Sequence, residues 1–84
     1  MLKVKVRIIG ANHLEIDTDD GTYLQSYNSI IAFRSFKDRK VYLDREKWNY
    51  SATTAKHRNA FLNETTKETQ RKIDDGVYIL ADLN

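Results

Sequence analysis

Apolar and polar residues alternate at the start of the chain. Leu2, Val4, Val6 and Ile8 fall on one side and Lys3, Lys5 and Arg7 on the other, which is the period of a half-buried strand. Residues 12–17 alternate again, with Leu14 and Ile16 standing among His13, Glu15 and Asp17. Gly10 between the two runs reads as a turn residue with positive φ. A three-residue loop of Ile9, Gly10 and Ala11 sets Val6 against Leu14, Val4 against Ile16, Lys5 against Glu15 and Lys3 against Asp17. Every pair then agrees on face and the charged pairs have opposite sign. In that register His13 stands opposite Arg7, and the basic stripe is neutralised inside the sheet.

The segment from Asp17 to Gly21 reads DTDDG, a turn between strands. It does not fit a calcium loop, which needs glycine at its sixth position and glutamate at its twelfth. Here the glycine is fifth and the twelfth residue is Asn28. Residues 22–35, TYLQSYNSIIAFRS, are rich in strand formers, and their alternation slips near Ser26–Asn28. That slip implies either a bulge or two strands. Residues 37–40 then read as a hairpin turn, and Val41, Tyr42 and Leu43 as a short antiparallel strand.

From Ser51 the pattern turns helical. Ser51, Thr53 and Thr54 are all candidate N-caps, and a helix over 52–62 has Ala55, Phe61 and Leu62 as its apolar side. Thr65 and Glu68 have capping-box spacing for a second helix at about 66–75. That helix is polar except for Ile73, and Gly76 suits its end. Val77 to Leu80 form a last short extended run. The expected fold is α+β: a single small domain over 1–84, with a mostly antiparallel sheet of four to five strands and two short helices on one face.

Composition removes several functions. Fourteen basic and twelve acidic side chains leave a net charge of +2, too balanced to point to nucleic acid by itself and wrong for an acidic DNA mimic. There is no cysteine, hence no disulfide or thiolate metal site. No apolar run reaches the ~18 residues of a membrane span and no signal-peptide pattern opens the chain. The two histidines, His13 and His57, give no metal-ligand spacing, and no phosphate-binding loop, dinucleotide turn or nucleophile elbow is present. An enzyme would have to be assembled from Tyr50, Ser51, His57 and a carboxylate. The expectation is a non-enzymatic protein without a cofactor.

Two basic groups remain as candidate partner-binding residues. Arg34, Lys37, Arg39 and Lys40 form the densest basic cluster, read either as a solvated hairpin tip or as a contact for phosphate or an acidic partner. Lys56, His57, Arg58 and Asn59 form a polar helix face with no evident internal role. Tyr23, Tyr27, Phe33, Tyr42, Trp48 and Tyr50 lie on or beside the expected sheet, so a single-strand nucleic-acid surface is the alternative. The opposing consideration is that so small a domain needs its aromatic residues for a core, with Trp48 as an anchor.

The blocks YLQSYNSIIAF, VYLDREKWNYSATTAKHRNAFLNETTKETQRKI and GVYILADLN resemble a family of small uncharacterised bacteriophage proteins. The most specific piece is W-N-Y-S-x-T-T-x-K-H-R-N-x-F-L at 48–62. The resemblance covers about residues 22–84 and carries no assigned activity. It implies a protein working in the cytoplasm of an infected host, where small accessory proteins bind and inhibit a host enzyme or a defence factor, sometimes as oligomers. Open strand edges make a homodimer a further expectation.

Overall fold

The structure is a computed structural model that describes residues 3–84. Leu2, expected at the start of the first strand, lies outside them. Five strands run in sequence, β1 (Lys5–Gly10), β2 (His13–Asp17), β3 (Gly21–Ser26), β4 (Ser29–Ser35) and β5 (Val41–Asp44). Helices α1 (Ala52–Leu62) and α2 (Thr66–Asp74) follow, then β6 (Tyr78–Ala81). The sheet has six strands in chain order, antiparallel from β1 to β5 and parallel between β5 and β6. The expected α+β class is observed, with six strands in place of four to five. The stretch 22–35 divides into two strands at a tight turn where Tyr27 takes φ 57°, and the sixth strand is the last extended run, which pairs with β5. A parallel partner for β5 requires a crossover, and the two helices supply it.

Leu24, Ile31, Ala32 and Leu43 are fully buried beneath Phe61 of α1, with Leu62, Ile73, Leu80 and Trp48 packed around them. Trp48 thus serves the core. A bulge in β4 explains why two consecutive residues point inward. Tyr23 pairs with Phe33, Leu24 with Ala32 and Gln25 with Ile30, so Ile31 is the extra residue, and both it and Ala32 are buried.

The helices end as their sequences dictate. Ser51 caps α1 by accepting from the Thr54 N–H, and Asn63 closes it in the left-handed region at φ 56°. Thr65 and Glu68 make the reciprocal capping box of α2, and Gly76 follows its end at φ 75°. The Asp44 carboxylate closes the far end of the sheet, accepting from the N–H groups of Glu46, Lys47 and Leu83. Burial opposes its ionisation, but these backbone donors outweigh that and hold it below the usual carboxylate range.

Three expectations for the first hairpin are corrected. Val6 pairs with Ile16, Arg7 with Glu15 and Ile8 with Leu14, two residues away from the expected register. An even shift keeps every side chain on its face. The loop is short because Ile9 is absorbed as a bulge and Asn12, not Gly10, takes positive φ, at 58°. Arg7 then bridges Glu15 at 2.9 Å and Asp17 at 3.0 Å. Finally, β1 is not half-buried: it is exposed along its whole length, with Ile8 at 79%. Among the described residues, no helix is long and apolar enough to cross a membrane.

Candidate functional site

Helix α1 buries Thr54, His57, Arg58 and Phe61, the i, i+3, i+4, i+7 stripe of a docked helix. Three of the four are polar, and each finds partners inside. The Thr54 hydroxyl meets Ser26 Oγ at 3.1 Å, and His57 Nδ1 meets the same oxygen at 2.9 Å. Arg58 is 0% exposed. Its Nη1 donates to the Trp48 carbonyl (2.6 Å) and Asn49 Oδ1 (3.1 Å); its Nη2 donates to Asn59 Oδ1 (2.9 Å) and Thr66 Oγ1 (2.7 Å). The guanidinium also lies 5.0 Å from the centroid of the Trp48 ring. One side chain therefore ties the strand-to-helix junction, α1 and the start of α2 together.

His13 stacks on His57 with ring centroids 4.2 Å apart. Burial lowers the pKa of both, a neighbouring Glu15 partly offsets this at His13, and the charges of His13 and Lys56 add to it at His57. Their folded-state pKa values lie below the ordinary ~6.5 of the unfolded chain. Between the two, the unfolded state binds more protons, so stability is held above pH ~6.5 and falls as pH drops below it. Urea midpoints should decline from pH 7 to 5, before the carboxylates titrate, and His57→Gln should flatten that decline. A midpoint constant over this range would contradict the buried neutral pair.

The eight candidate partner-binding residues are divided by the fold. Lys37, Arg39 and Lys40 share the exposed turn between β4 and β5. Arg34 points to the other side, donating to the Phe61 carbonyl at 2.6 Å and lying over the Phe61 ring. Lys56 is exposed, Asn59 is half-buried, and His57 and Arg58 are buried. The polar face of 56–59 thus has the internal role that its sequence concealed. Of the residues from which an enzyme would be assembled, Ser51 caps α1, Tyr50 lies exposed with the Lys47 ammonium over its ring, and His57 is enclosed.

The largest feature missed in the sequence lies on the opposite side of the sheet. Leu24, Ala32 and Leu43 face the helices, so their strand neighbours face away, where no helix lies. The register joins them into one row across all six strands: Val6, Ile16, Tyr23, Phe33, Tyr42 and Ile79. A second row continues it with Ile8, Leu14, Gln25 and Ile30. Neither row contains a charged side chain. Tyr23 and Phe33 stack at 4.3 Å, and Tyr42 leans against Phe33 at 6.1 Å. The Tyr42 hydroxyl donates to Asp38, which holds that carboxylate below its usual range. The signal is present in the sequence as alternation at Tyr23, Phe33 and Tyr42, but only the register of the sheet joins them to Val6, Ile16 and Ile79.

A groove of about 660 Å³ beside α2 is lined by Thr66, Lys67, Gln70, Arg71, Asp74 and Asp75. All its walls come from α2 and its C-cap, without the convergence of elements that marks a substrate pocket. Compared with known proteins, the chain belongs to a family of unknown function (DUF8033), whose family model matches residues 3–76. No curated protein and no solved structure matches it.

Proposed function

We propose that this member of DUF8033 is a non-enzymatic protein that acts by binding another protein through the open face of its sheet. The observation that carries the reading is the uncharged apolar row from Val6 to Ile79. Contiguous apolar surface of this kind marks an interaction site. The contact of Ser26 with His57 supports no chemistry, since Ser26 is fully buried. The resemblance at 48–62 extends the reading: a phage accessory protein in the host cytoplasm, working without a cofactor, whose partner is a host or anti-phage defence factor.

Single-stranded nucleic acid is the second reading, favoured by three aromatic rings on neighbouring strands beside the basic 37–40 turn. Two details weigh against it. Base stacking needs free ring faces, and Tyr23 and Phe33 cover one another. Phosphate tracking needs cations along the surface, and the rows have none. A photo-crosslinking phenylalanine analogue at position 33, in cells, should give protein adducts, while the same analogue at exposed Lys67 should not. Adducts to nucleic acid alone, or binding of single strands that weakens steeply with salt, would overturn the protein-binding reading.

A further inference from the structure

We infer that the open sheet face is a self-complementary surface and that a second copy of this chain packs on it, face to face, about a two-fold axis parallel to the strands between β3 and β4. The inference rests on the reading of that face as a protein interface and names its first occupant. Six strands in sequential order place three on each side of such an axis. The axis sets β1 over β6 of the other copy, β2 over β5 and β3 over β4. The long row then meets itself: Val6 lies over Ile79, Ile16 over Tyr42 and Tyr23 over Phe33 of the second copy. Sheets packed in this aligned way stack about 10 Å apart with their inner side chains interleaved.

Charge fits the same axis. The β2–β3 turn carries Asp19 and Asp20, a charge of −2. The β4–β5 turn carries Lys37, Arg39 and Lys40 against Asp38, a charge of +2. Both turns sit at one end of the sheet, where the Phe36 N–H donates to the Asp20 carbonyl at 3.0 Å. They are equally far from the axis on opposite sides, so the acidic turn of each copy meets the basic turn of the other, twice. Asp19, Asp20, Lys37, Arg39 and Lys40 are exposed and enter no ion pair among the described residues. An axis perpendicular to the strands would bring opposite ends together and lose this match.

The area is sufficient. Six strands at about 4.8 Å and five residues at about 3.3 Å give a flat footprint of about 480 Å² per copy. Two copies bury about 1,000 Å² before side-chain relief is counted, the size at which specific interfaces begin. A different protein that uses this face must displace one copy, so its binding competes with dimerisation.

Sedimentation equilibrium of the intact protein tests this. A dimer is expected at about 50 μM, and Phe33→Glu should be a folded monomer by circular dichroism. The exposed turns give variants that leave the core untouched: D19K/D20K and K37E/K40E should each weaken dimerisation about tenfold or more, and an equimolar mixture of the two should restore it as a heterodimer. Lack of rescue overturns the axis. A folded wild-type monomer at ~100 μM, or a dimer indifferent to Phe33→Glu, overturns the second copy as occupant. If that monomer still crosslinks from position 33 to another protein in cells, the protein-binding reading stands without this inference; if it crosslinks only to nucleic acid, both fall.

Discussion

Replacing Arg58 with alanine should cost about 3–5 kcal/mol and leave little or no folded protein. Four hydrogen bonds from a charged donor are lost, each of a kind that contributes about 1.5–3 kcal/mol, and relief of the desolvation of the buried guanidinium offsets part of their sum. Solvent cannot readily replace them, because the side chain is completely enclosed. The Trp48 ring also loses its packing partner. A domain of this length has roughly 4–13 kcal/mol in total, so the loss is a large share. Arg58→Lys should recover only part of it, since an ammonium on a single stem cannot span acceptors from the Trp48–Asn49 segment, Asn59 and Thr66 at once. Lys56→Ala, one residue away and exposed, should stay within about 0.5 kcal/mol of the parent. Urea denaturation of the three variants decides this. An Arg58→Ala protein within about 1 kcal/mol of the parent would remove the enclosed strut from the description of the fold.

Gly21→Ala should be nearly as damaging, for a backbone reason. Gly21 opens β3 at φ 154°, and a β-carbon there would stand 2.1 Å from the Arg34 carbonyl oxygen and 2.7 Å from the Phe33 ring. A carbonyl in a sheet cannot yield as a side-chain tip can, so β3 and β4 would have to separate where the core begins. Overpacking of about 1–3 kcal/mol and backbone strain of similar size add to roughly 3–5 kcal/mol. Gly10→Ala is the matched control. A β-carbon at Gly10 meets nothing within 4 Å, and its φ is not positive, so the change should be neutral or slightly stabilising. Thermal midpoints should separate the two variants by well over ten degrees. Similar midpoints would mean that the close approach of β3 and β4 is relieved in solution.

What the sequence conveyed well was local. Ser51, Thr65 and Gly76 mark helix boundaries because capping is settled within four residues. The DTDDG turn and the 37–40 turn follow from side-chain chemistry of the same short range. The faces of β1 and β2 also came through, because a period of two survives an even error in register. What failed required knowledge of neighbours. His57 and Arg58 read as outward-facing because they are polar, yet their hydrogen-bond partners include Ser26, Trp48, Asn49 and Thr66, brought near only by the fold. The exposure of β1 follows from coverage: α1 packs on β3 and β4 and α2 on β6, and helices about 10 Å wide cannot cover the whole of a sheet about 29 Å across. The open row was hidden for the opposite reason. Its members are spread over all six strands, and alternation within any one strand does not tell which side the helices will take.

The pairing of β5 with β6 has a kinetic consequence. Each of the first four strand pairings closes through a short loop, so little chain entropy is lost in forming it. The pairing of β5 with β6 must wait for a crossover that contains both helices. The five-strand meander can therefore assemble early, while the last strand docks only once α1 and α2 are in place. Side-chain changes in β6 would then speed unfolding more than they slow folding, making the final strand a latch on the native state rather than part of its nucleus.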